Sequence, residues 1–79
     1  MVQYKNPLTQ KVFQLLMPLT GDFMAQGILK TQFKNMGIDQ DTLKITDLPK
    51  LAEAVKKGLS AFIGAAAAEQ VALKIKNLS

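Results

Sequence analysis

The stretch TDLPKLAEAVKKGLSAFI, Thr46 to Ile63, decides the fold. Its apolar residues fall at Leu48, Leu51, Ala52, Val55, Leu59, Phe62 and Ile63. Spacings of three and four stack them on one face of an α-helix. Lys50, Glu53, Lys56, Lys57 and Ser60 fill the opposite face. Thr46 suits the N-cap, where its hydroxyl can accept from a first-turn amide that has no helical partner. Asp47 faces the positive end of the helix dipole, and Pro49 is tolerated in the first turn. The spacing therefore predicts a helix over 47–63.

Downstream comes Gly64 and then AAAAEQVALKIKNL. Were the helix to continue through Gly64, its buried face would carry Ala66, Glu69, Gln70, Leu73 and Asn77. The apolar stripe runs instead through Ala68, Val71, Ala72, Ile75 and Leu78. The phase breaks at Gly64, which predicts a turn there and a helix over 65–77. Phe62 and Ile63 should then pack near Val71. Lys74 and Lys76 suit the negative end of this last helix.

Upstream, Asp39 to Ile45 is short. Asp39 or Asp41 can cap a single helical turn near 40–44 that carries Leu43 inward, or the segment is extended. Before it, Thr20-Gly21-Asp22 opens a helix over 20–36. Its expected buried positions are Phe23 or Met24, Ala25, Ile28, Leu29, Phe33 and Met36. Gly37 stands at C′ and Ile38 at C″, placed to touch Phe33 across the helix end. Gly27 in mid-helix costs ~1 kcal/mol against Ala. A close helix crossing is the expected reason, with a backbone-lined pocket as the alternative.

The first helix is expected over 7–17. Asn6 is its N-cap and Pro7 its first residue. Leu8, Val12, Leu15, Leu16 and Leu19 follow the helical period, and Phe13 widens the stripe. Pro18 should stop the helix near Leu16, because a residue before proline disfavours helical angles. Residues 1–5 read as a flexible arm. No internal repeat is apparent.

Composition agrees with this pattern. The 79 residues make one domain, and with nearly half of them apolar the chain is a folding sequence. β-branched residues never run together, and Leu, Ala, Lys and Gln favour helix. The expected fold is a single all-α domain, a bundle of four main helices plus a short helical turn. No apolar run approaches the ~20 residues of a membrane span, and a cytoplasmic location is the default expectation.

Cysteine, histidine and arginine are all absent, so all ten basic residues are lysine. Disulfides, thiolate or imidazole metal sites and Ser-His-Asp triads are excluded within one chain. Glu53 and Glu69 sit on polar faces with no evident partner to perturb them. No enzymatic role and no cofactor is expected. Asp39 and Asp41 open like a calcium loop, but Leu43 and Lys50 stand at its fifth and twelfth positions, where oxygen ligands are required.

Two segments resemble known families. LSAFIGAAAAEQV, Leu59 to Val71, resembles a helix-hairpin-helix DNA-binding motif. Gly64 to Ala68 keeps its glycine-to-alanine spacing, and Val71 stands at an apolar position. The motif's hairpin has two glycines where this chain has one. The resemblance implies phosphate contact at the Gly64 corner. MGIDQDTL, Met36 to Leu43, is similar to the acyl-carrier signature, but Thr42 replaces the serine that bears the prosthetic group.

Three functions are consistent with these residues. The first is a protein-interaction module that self-associates as a homodimer. The candidate interface is Leu8, Val12, Phe13 and Leu16, an apolar face wider than one buried stripe, together with the alanine-rich last helix. The second is a nucleic-acid-associated protein, with a net charge of +4. Its candidate residues are Lys50, Lys56, Lys57, Gly64, Lys74 and Lys76. The third is a carrier of an apolar ligand, its pocket lined by Met17, Met24 and Met36.

Overall fold

The structure is a computed structural model that describes residues 3–78. Four helices run α1 (Pro7–Thr20), α2 (Asp22–Met36), α3 (Leu48–Ile63) and α4 (Ala65–Lys76), with a 3₁₀ turn over Ile45–Asp47. Among the described residues there is no strand. The all-α four-helix expectation holds. α1 packs on α2, α2 on α3, α3 on α4 and α4 back on α1, closing a ring around one core. Asn35 near the end of α2 and Lys50 near the start of α3 line the same cleft, and Lys76 meets Glu53 across α3 and α4. Neighbouring helices are thus antiparallel, and both glycine corners lie at one end of the bundle.

The core follows the stripes. α3 buries Leu48, Leu51, Ala52, Val55 and Leu59. α4 buries Ala68, Val71, Ala72 and Ile75, the stripe that required the break at Gly64. α2 adds Ala25, Leu29 and Phe33. Leu43 is buried beneath a turn in which the Asp39 carboxylate accepts from the Asp41 and Thr42 amides, at 2.8 and 3.1 Å. That is an aspartate-capped turn and not the extended alternative, but it is not helical, and the short helical piece of this connection lies later, over Ile45–Asp47. Gly37 ends α2 in the left-handed conformation, φ +72°. The Ile38 amide donates to the Phe33 carbonyl at 3.0 Å and that of Gly37 to Lys34 at 3.2 Å. Both bonds expected of a glycine-ended helix are present.

Several expectations are corrected. Pro18 does not stop α1, which continues to Thr20. Proline removes only the bond to the Gln14 carbonyl, and Gln14 and Pro18 are both exposed, so water can serve that carbonyl. Thr20 belongs to α1 and not to α2, since its hydroxyl donates back to the Leu16 carbonyl at 3.1 Å. Thr46 is not the cap of α3. The Asp47 carboxylate instead reaches back to the Lys44 amide at 3.1 Å, and the chain enters α3 through the 3₁₀ turn. Phe62 is exposed and does not pack in the hairpin, whereas Ile63 packs against the core.

The arm is held down over its described part. The Tyr4 amide donates to the Gln10 side chain at 2.8 Å, and the Tyr4 ring meets Phe13 edge-on with centroids 5.4 Å apart. The remainder, residues 1 and 2, lies outside the described residues.

An internal repeat is present after all. Leu8, Val12, Leu16, Gly21 and Ala25 recur as Leu51, Val55, Leu59, Gly64 and Ala68, each 43 residues on. The two corners share one geometry, φ/ψ of 86°/163° at Gly21 and 90°/156° at Gly64. Each glycine amide donates four residues back, to Met17 and to Ser60, and each glycine carbonyl accepts from the alanine four residues on. This backbone region is essentially restricted to glycine, so the sequence marks both corners. The protein is two helical hairpins built on one pattern.

Candidate functional site: a groove along α2

Phe23 is 92% exposed, although burial of Phe23 or Met24 was expected. Met24 is exposed as well. At about 100° per residue, Phe23 lies some 200° around α2 from Ala25, and Ala25, Leu29 and Phe33 are the residues that turn inward. The outward face therefore carries Phe23, Gln26, Gly27, Lys30 and Lys34. These side chains form one wall of an open groove of about 890 Å³, floored by the edges of Leu29 and Phe33. Tyr4 and the Ile38–Asp41 turn form the other wall.

That second wall is fixed by the start of α1. The Asn6 side chain accepts from the Leu8 amide at 3.0 Å as the helix cap, and its amide nitrogen donates to the Leu43 carbonyl at 2.9 Å. The Thr9 hydroxyl, fully buried, donates to the Gln40 carbonyl at 2.6 Å. Two bonds spanning more than thirty residues thus hold the 38–43 segment against α1. Thr9 has no place in the sequence-based expectations, although it lies three and seven residues before Val12 and Leu16, on their buried face.

Gly27 sits in the wall opposite. A Cβ placed there would have nothing within 4 Å. The expected close helix crossing is absent, and the backbone-lined pocket is the arrangement found. The groove's charges are separated, with Lys30 and Lys34 on α2 and Asp39 and Asp41 on the turn. Tyr4, at its edge, has its phenol pKa raised, first by burial and then by the Asp22 carboxylate.

The sequence-based candidates are distributed otherwise. Val12, Phe13 and Leu16 have no exposed surface and Leu8 is half-buried. Val12, Phe13 and Leu16 are spent on packing within the protomer, and of the four only Leu8 keeps surface that a partner could touch. Lys50 and Lys57 line a shallow cleft between α2 and α3, with Glu53 between them. Lys76 donates to Glu53 at 3.1 Å, and this bond, with the charges of Lys76, Lys56 and Lys57, lowers the Glu53 pKa. Lys74 is exposed on α4. Gly64 is exposed at the corner, 14 residues from Lys50 and so about 21 Å along the helix axis. Lys50, Lys56, Lys57 and Lys76 gather around the Glu53 carboxylate and not at Gly64, and the two-glycine hairpin of the DNA-binding motif is here a single residue. None of Met17, Met24 and Met36 lines the groove.

Among the described residues, no group of three or more His, Cys, Asp or Glu is placed to hold a metal, and no helix is long and apolar enough to cross a membrane. No family model, curated protein or solved structure matches the chain.

Proposed function

We propose that the protein is an interaction module that docks an apolar polypeptide segment in the α2 groove. The observation that carries this is Phe23, a large apolar side chain held out at the mouth of a concave, partly apolar site. A single exposed apolar residue needs no explanation, but Phe23 has a counterpart to be judged against. The internal repeat places Ala66 at the equivalent position of the second hairpin, where it is also exposed. The scaffold therefore asks for nothing larger than alanine there. Leu19 and Phe62, another equivalent pair, are exposed beside the two corners and extend the apolar surface at that end. Docking by burial of an aromatic anchor in a groove with a polar rim is a common source of binding energy.

The test is selection of phage-displayed peptides on the native protein and on the Gly27→Gln protein, whose added side chain would fill the groove. Apolar peptides should enrich on the first and not on the second. If no peptide enriches, or if enrichment ignores position 27, the groove is not a docking site.

A further inference from the structure

We infer that the segment docked in the α2 groove is α2 of a second copy, paired antiparallel in an isologous dimer; this rests on the docking reading above. The projecting part and the receiving part lie on the same helix, at opposite ends. Phe23 stands in the first turn of α2, and the apolar floor at Phe33 and Ile38 lies ten or more residues on, about 15 Å along the axis. A two-fold axis crossing α2 near Ile28 places each Phe23 over the Phe33–Ile38 end of its partner's groove. A parallel pairing sets Phe23 against Phe23 and leaves both groove ends empty.

The helix dipoles favour the same orientation. α2 carries Asp22 in its first turn and Lys34 in its last. Antiparallel pairing opposes the two helix dipoles, while the side-chain charges of the receiving end, Lys34 on α2 and Asp39 and Asp41 on the turn, offset one another. Gly27 lies near the crossing point, where a missing side chain permits close approach. The second hairpin has Gln70 at that position, so the pattern of the fold does not require glycine there. Such a face is self-complementary, as a two-fold interface must be.

The experiment is sedimentation equilibrium of the full chain from micromolar to millimolar concentration, with ¹⁵N–¹H spectra over the same dilution series. The native protein should show a monomer–dimer equilibrium, with amide shifts concentrated in residues 22–41. Phe23→Ala and Gly27→Gln put the second hairpin's own residues into the first. Each should weaken association about tenfold or more while circular dichroism shows the helices intact. A native chain that stays monomeric at every concentration, or a dimer that both variants leave unchanged, overturns the pairing. Peptide enrichment on a strictly monomeric chain would then retain the docking site and remove only the second copy as its occupant. Loss of both results removes the site itself.

Discussion

The two hairpins of this protein share a pattern and differ in what they do with it. Both use Leu, Val and Leu along the first helix, a single glycine at the corner and a buried alanine four residues later. After Gly64 the chain continues with alanines, and α3 and α4 form the most extensively packed pair in the molecule. After Gly21 it continues with Asp22, Phe23 and Met24, and α2 turns an aromatic ring to the outside. Residues common to the halves build the scaffold. Those peculiar to the first half, Phe23 and Gly27 above all, gather in the groove and contribute nothing visible to the fold.

The largest effect that can break this contrast is a core truncation set against a groove truncation. Leu59→Ala removes a fully buried side chain from α3 and should cost about 2–5 kcal/mol, enough to threaten so small a domain. Phe23→Ala should stay within about 0.5 kcal/mol, because its ring is in water. Urea denaturation of both at one low protein concentration compares them. A cost for Phe23→Ala comparable to that of Leu59→Ala would show that the ring is packed within the protomer.

Next comes the corner. At φ +90° and ψ 156°, Gly64→Ala meets no neighbouring atom, so any cost is purely conformational. It should be about 1–3 kcal/mol, and Gly21→Ala should match it if the corners are equivalent. Denaturation midpoints of the two variants measure this. A clear inequality would show that the hairpins are alike in sequence but not in strain.

Most of the scaffold was legible before the structure. The three–four spacing in α3, the phase break at Gly64 and the Gly37-Ile38 stop each correspond to one local physical cause, and each is found. Pro18 misled because its effect depends on whether the orphaned carbonyl is buried, which no local pattern reports. The excess of Leu8, Val12, Phe13 and Leu16 on α1 suggested a surface for a partner. In fact Tyr4 folds back over Phe13, and the other helices take up the rest. Phe23 was misjudged by treating each apolar residue as a core candidate. Its phase against Ala25, Leu29 and Phe33 already pointed it outward. The groove could not be read, because one wall is a turn held by Asn6 and Thr9 through contacts that no spacing encodes.

A smaller effect sharpens the contrast at Gly27. Were it a crossing point inside the protomer, adding a methyl group would be destabilising. With open space around it, Gly27→Ala should stabilise the protein by ~1 kcal/mol, the difference in helix propensity. Chemical denaturation at a concentration where the chain is monomeric checks the sign. Destabilisation would mean that the wall of the groove is packed against something in the same chain.

The smallest expected effect tests what holds the second hairpin together. Lys76 and Glu53 join α4 to α3 by a 3.1 Å bond at the surface, and the Glu53 pKa is lowered chiefly by that bond. A carboxylate whose pKa is lower folded than unfolded adds stability above its ordinary titration range. That stability is lost as pH falls through the lowered folded value. Glu53→Gln should therefore reduce the Tm slightly at neutral pH. The deficit should shrink with added salt and vanish once the pH lies below the lowered folded value, where the carboxyl is protonated in both states. Thermal melts of native and variant protein across that range provide the comparison. The deficit is expected to be far smaller than that of Leu59→Ala, because the hairpin is closed by the buried stripes of α3 and α4, Val55, Leu59, Ala68 and Val71 among them, and not by a pair at the surface. A deficit that persists unchanged in acid would mean that the side chain of Glu53 matters for its packing rather than its charge.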